Sequence, residues 1–150
     1  MKTGVRLLLT TVLLLLFSSR TGVAQSINFT NGNGGTFTIA SAVAGQDPIA
    51  VSNGAGNFTT DTKNKDGVLR IRAQLDQPMP PNTTLTLTLT YPAGTNLGPQ
   101  VLDITPVDMI VSIPKLQGIR TGTVSYSFAA TASAGVLPPF QRVVTLTIVP

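Results

Sequence analysis

The side chains able to carry chemistry are few, and their types are narrow. Six Asp are present, at 47, 61, 66, 76, 103 and 108, and there is no Glu. Paired carboxylates hydrolyse glycosidic bonds when two of them converge about 5–10 Å apart across a substrate. Here Asp47, Asp61, Asp66, Asp76, Asp103 and Asp108 are scattered, and none stands in an Asp-Thr-Gly or Asp-Ser-Gly motif. The chain also lacks His, Cys and Trp. That removes the Ser-His-Asp and Cys-His nucleophile systems and every thiol reaction. It also removes zinc sites built on imidazole or thiolate. A Ser–Lys dyad stays formally open because Lys63, Lys65 and Lys115 are present. The residues point to a protein that is not an enzyme, with no catalytic, cofactor-binding or metal-binding residues to name.

One stretch, Asp61-Thr62-Lys63-Asn64-Lys65-Asp66-Gly67, has the outline of a calcium loop. An EF-hand loop places oxygen ligands at alternate positions and a bidentate Glu at the twelfth. Counted from Asp61, lysines fill the third and fifth positions and Arg72 the twelfth. Two ammonium groups would repel the cation, so the segment is expected to be a hairpin turn closed by Asp66-Gly67. Asn28-Phe29-Thr30, Asn57-Phe58-Thr59 and Asn82-Thr83-Thr84 match the N-glycosylation sequon, which matters only in a host with that machinery. The aromatic residues Phe29, Phe37, Phe58, Tyr91, Tyr126, Phe128 and Phe140 are too few for a sugar- or base-stacking platform, and most fall on inward strand positions.

The ends and the charge set the compartment. Lys2 and Arg6 precede an apolar run from Leu7 to Phe17, and a polar stretch then ends Gly22-Val23-Ala24. This is the pattern of a secretory signal peptide, with cleavage expected after Ala24. The run is too short for a bilayer, which takes about 20 apolar residues. Residues 1–24 are therefore assigned to the signal and 25–150 to a single domain, large enough to bury a core. The expected location is outside the cytoplasm: extracellular, at the cell surface or in the periplasm. Lys2, Arg6 and Arg20 leave with the signal, so seven cations remain against six Asp. A charge so close to zero gives no reason to expect nucleic acid or stable membrane insertion as partners. Lys63, Lys65, Arg70 and Arg72 form a local basic cluster, but Asp61 and Asp66 sit among them, which suits a solvated face. Without Cys, no disulfide can hold the fold, and packing must do so.

Hydropathy alternates with a period of two. Leu69, Ile71, Ala73 and Leu75 form one face of a strand over Val68–Leu75, and Leu85, Leu87, Leu89 and Tyr91 one face of Thr83–Tyr91. Val124, Tyr126, Phe128 and Ala130 do the same in Thr121–Thr131, and Val144, Leu146 and Ile148 in Phe140–Val149. Shorter strands are expected at Ser26–Thr30, Thr36–Ala40, Ile49–Val51, Val101–Ile104 and Met109–Ile113. Residues 41–56 otherwise read as irregular. Loops are expected at Gln77–Asn82, Pro92–Pro99, Pro114–Arg120 and Ala132–Pro139, and the Gly/Asn run after Thr30 suits a positive-φ turn. About seven to nine one-sided strands and no helix are most simply packed as an all-β, immunoglobulin-like antiparallel β-sandwich; a small barrel is the alternative. The Cys…Trp…Cys core of antibody domains is absent.

The segments Leu69-Arg70-Ile71-Arg72-Ala73, Thr121–Phe128 and Arg142–Ile148, set behind a signal ending Val-Ala-Gln, resemble strands of small exported pilin-like or surface β-sandwich proteins of Gram-negative, Bacteroidetes-like bacteria. The resemblance covers most of residues 65–149. It lacks the paired Cys of chaperone–usher pilins and carries over no functional residue. It implies a structural or adhesive role at the cell surface, with a self-associating filament subunit as one form. The partner is then another copy of the chain, met by strand-edge association, or another surface protein. In that form the Ile27–Thr30 strand, tethered by flexible Gly and Asn, could complete a neighbour's sheet. The alternative is a monomeric extracytoplasmic binding module for a glycan or a protein.

Overall fold

A computed structural model describes residues 26–31, 36–39, 43, 45–62, 67–114 and 119–150. The expected signal peptide, the Gly/Asn turn at 32–35, and Lys63, Lys65, Asp66 and Lys115 lie outside the described residues. Among the described residues nine strands run in the order β1 (Ser26–Asn31), β2 (Val51–Asp61), β3 (Leu69–Leu75), β4 (Thr83–Thr90), β5 (Thr95–Asn96), β6 (Gln100–Val101), β7 (Val107–Ile113), β8 (Ile119–Ala130) and β9 (Val144–Val149). The one helical piece among the described residues is a 3-10 turn at Ala132–Ala134. No helix among them is long and apolar enough to cross a membrane.

The strands form two antiparallel sheets, one ordered β1-β2-β8-β4-β6 and the other β5-β7-β3-β9. The architecture is an all-β sandwich, as expected. From β2 onward each successive strand lies in the opposite sheet from the one before it. Against the expected hairpin at Asp61–Gly67, β2 and β3 belong to different sheets and are not paired arms; residues 63–66 between them lie outside the described residues.

The core lies between the sheets. Leu87, Leu89, Val124 and Phe58 come from the first, and Leu69, Ile71, Leu75 and Met109 from the second, all at most 1% exposed. The expected inward faces of β3 and β4 are buried as the alternation requires. β7 breaks the alternation, because Met109 and Ile110 are adjacent and both fully buried. Register against β3 slips between Ile71 and Arg72 and again between Leu69 and Ile71. Each slip inserts an extra residue on β7, turning the following side chain back inward. Ser112, with φ 56°, sits in the second bulge.

Gly122 faces Phe58 across the β2–β8 pair. A Cβ at Gly122 would overlap the Phe58 ring and come within 2.7 Å of the Thr90 carbonyl oxygen. Glycine here lets the ring lie flat against the strand and stack on Tyr91, with centroids 5.9 Å apart. The Tyr91 hydroxyl and Thr60 Oγ1 share a buried 2.6 Å hydrogen bond, so the polar end of the ring is satisfied inside the core. The Asn96 side chain accepts from the Tyr91 N–H at 2.9 Å and donates to the Tyr91 carbonyl at 3.2 Å, standing in for a neighbouring strand.

Several boundaries differ from expectation. Residues 36–39 are not a strand, although Phe37 and Ile39 do turn inward and pack on the core. β1 pairs directly with β2, and the 36–39 segment is held by side chains, with the Phe37 ring 6.1 Å from Phe128. Ala40 lies outside the described residues. Residues 52–56, expected to be irregular, belong to β2: a register shift between Asn53 and Gly56 is absorbed while β8 continues to pair with the strand. Ile49 is 89% exposed and precedes β2. The expected Val101–Ile104 strand shrinks to Gln100–Val101, after which Leu102 turns inward, its N–H bonded to the Leu85 carbonyl at 2.9 Å. Strands β8 and β9 begin at Ile119 and Val144, not at Thr121 and Phe140.

Candidate functional site: outer faces and open edges

Three of the candidate carboxylates are engaged by backbone N–H groups. Asp47 accepts the Ala132 N–H at 2.7 Å, Asp76 accepts the Val143 N–H at 2.9 Å, and Asp103 accepts the N–H of Ile104 at 2.8 Å. Asp47 and Asp76 thereby tie distant segments together, and Asp103 closes a local turn. Among the described residues no group of three or more acidic side chains could hold a metal ion. Ser112 and Lys115 do stand at Ser-x-x-Lys spacing, a pattern the sequence reading passed over. Ser112 is an exposed bulge residue on β7, and Lys115 lies outside the described residues.

Of the basic cluster, Arg70 and Arg72 are described; they lie on the outer face of the four-stranded sheet, and both reach Asp108 of β7. Arg72 Nε donates to Asp108 Oδ1 at 2.6 Å, and Arg70 Nη1 lies 3.5 Å from Oδ2. Arg72 and Asp108 are direct register partners across β3–β7, so the pair is a cross-strand ion pair. No local signal could have shown it, because 36 residues separate the two. Beside it lies a shallow depression of about 140 Å³, lined by Arg72, Gln74, Pro106, Thr145 and Thr147 among others. Pockets that enclose small ligands run to about 300–1,000 Å³, so this one can seat no more than a small polar group.

The other outer face is chemically distinct. Thr84, Thr86, Thr88 and Thr90 of β4 stand beside Thr123, Ser125 and Ser127 of β8, with Asn57 and Thr59 of β2 and Asn28 of β1 beyond. These positions carry hydroxyls and amides with neither charge nor aromatic ring. The aromatic residues are inside: Phe58, Tyr91, Tyr126 and Phe128 are buried, and Phe29, Phe37 and Phe140 pack against the core. Burial raises the Tyr126 phenol above its usual 10.0. Arg142 stacks over Phe140 at 5.1 Å and bonds the Pro78 carbonyl at 2.8 Å, so it holds a loop.

β1 and β6 bound one sheet, β5 and β9 the other. β5 and β6 are two residues each, whereas β1 and β9 are six residues each and carry no charged side chain. β1 and β9 approach each other across the sandwich, so both longer edges open on one side of the molecule. Of the sequons, Asn28 and Asn82 are exposed and Asn57 is half-buried within β2. The chain matches no protein-family model, no curated protein and no solved structure.

Proposed function

We propose that this chain is a secreted, non-enzymatic structural or adhesive protein of the cell surface, and that it associates with copies of itself through strand edges, in the manner of a pilin-like filament subunit. The observation that carries this reading is the pair of uncharged, six-residue edge strands, β1 and β9, lying on the same side of the sandwich. Soluble sandwiches blunt long edges with Lys, Pro, bulges or very short strands. β5 and β6 follow that rule, and β1 and β9 carry no charge and no Pro. The leader-like N-terminus and the absence of Cys agree with export and with a fold held by packing alone.

Size-exclusion chromatography with light scattering on the exported protein, followed by negative-stain microscopy, tests this. Oligomers or filaments that grow with concentration are the expected result. A monomer at every concentration would sink the reading. One observation favours a second: the depression beside Arg72, Gln74, Thr145 and Thr147 offers polar groups to a glycan or protein ligand. A glycan-array screen of the monomeric protein would detect such a module, and blank arrays would count against it.

A further inference from the structure

We infer that β9 is the surface on which two copies of this chain meet, running antiparallel about a two-fold axis at Leu146 and joining their four-stranded sheets into one. This rests on the self-association proposed above and names the edge and the register. Among the described residues β9 pairs on one side only, with β3, through six successive register partners from Arg70–Val149 to Leu75–Val144. That ladder has no bulge, so the outer side of β9 presents a regular row of backbone donors and acceptors. The edge of β1 is less regular, because its register slips between Phe29 and Asn31.

The side chains of β9 are complementary to themselves. Directly opposed residues in an antiparallel pair point to the same face of the sheet. An axis at Leu146 sets Val144 opposite Ile148 and Thr145 opposite Thr147. Apolar groups then meet apolar groups on the inner face, and hydroxyls meet hydroxyls outside. Leu146 is 8% exposed, while Val144 and Ile148 are only half-buried, so they have apolar surface left to cover. No charge lies between Val144 and Val149, so the two-fold axis brings no like charges together. A contact of this kind is isologous and closes at a dimer; a longer assembly would need a second edge, and β1 is the remaining long one.

Disulfide trapping tests the register, because the native chain has no Cys to interfere. Thr145→Cys and Thr147→Cys are made separately in the full chain and exported. Both positions are exposed, so the fold is retained. Opposed residues have Cα atoms about 4.5–5.5 Å apart, within disulfide range. The expected result is a cross-linked dimer when the two variants are mixed under oxidising conditions, and none from either alone. Cross-linking by Thr147→Cys alone would place the axis elsewhere and overturn the register. A mixture that does not cross-link, while the native protein associates by light scattering, would overturn β9 as the contact and leave self-association standing. A native protein that is monomeric throughout would overturn both. As a second check, the double variant Thr145→Lys/Thr147→Lys should keep its β-sheet circular dichroism and halve the scattering mass of the dimer. Unchanged association in that variant would also overturn the proposal.

Discussion

Two strands of this molecule carry almost the same text and have different neighbours. β4 reads Thr-Leu-Thr-Leu-Thr-Leu over 84–89, and β9 reads Val-Thr-Leu-Thr-Ile over 144–148. Both turn their aliphatic residues inward and their threonines out. β4 lies between β8 and β6, and Leu87 is fully buried. β9 lies at an edge, with Leu146 buried but its flanking Val144 and Ile148 still half in solvent. The alternation therefore fixes which face a side chain takes. Whether the backbone on either side is used is decided by strands far away in sequence.

The sharpest test of this difference is truncation. Leu87→Ala removes a fully enclosed side chain and should cost about 2–5 kcal/mol, with Leu146→Ala at the lower end of that range. Urea unfolding of the monomer measures both. Equal costs would show that β9 is as enclosed as β4 and would break the comparison. Next is Gly122→Ala in β8, the strand on which β4 rests. The added Cβ meets the Phe58 ring and the Thr90 carbonyl, and overpacking of this kind costs about 1–3 kcal/mol. An unchanged midpoint would mean that the ring has room to move.

The outer faces allow a subtler comparison. Asp108→Ala strips the partner from Arg70 and Arg72 on the four-stranded sheet. The ion pair is partly solvated, with side chains 29–42% exposed, so the loss should be no more than about 1 kcal/mol and should shrink in high salt. Thr86→Lys on the hydroxyl-rich outer face of the other sheet should change stability by about 0.5 kcal/mol or less and leave association untouched. Should it block association as well, the β4 face and not the β9 edge would be the contact. The smallest effect is expected from Tyr126. Burial raises its phenol in the folded state, so the unfolded chain loses that proton first. Its contribution is intact below pH 10 and is lost as pH rises through the folded value. Tyr126→Phe should flatten the stability profile above pH 10, as read by thermal melts at alkaline pH.

Much of the sandwich was legible because alternation is local. The inward faces of β3, β4 and β8, Phe128 among them, and the buried Tyr91 just after β4 follow from residue types two apart. The 31–61 region was not legible. Phe37 and Ile39 alternate like a strand without being one, and β2 runs through an Asn-Gly pair that reads as a turn. β2 is carried through that pair by its ladder with β8, tens of residues further on in the sequence, and residues 36–39 pack on the core through Phe37 and Ile39. The bulges of β7 were equally hidden, because they exist only relative to β3.

For the candidate site the division is the same. The sequence by itself determined which chemistry is missing, since residue types absent from a chain are absent from every fold of it. It also determined that the strands would be one-sided. Only the tertiary structure paired Arg72 with Asp108, laid Phe58 across Gly122, and left β1 and β9 as the long edges. Those are relations between segments tens of residues apart. They are set when successive strands enter opposite sheets, and local periodicity holds no information about which strand will stand beside which.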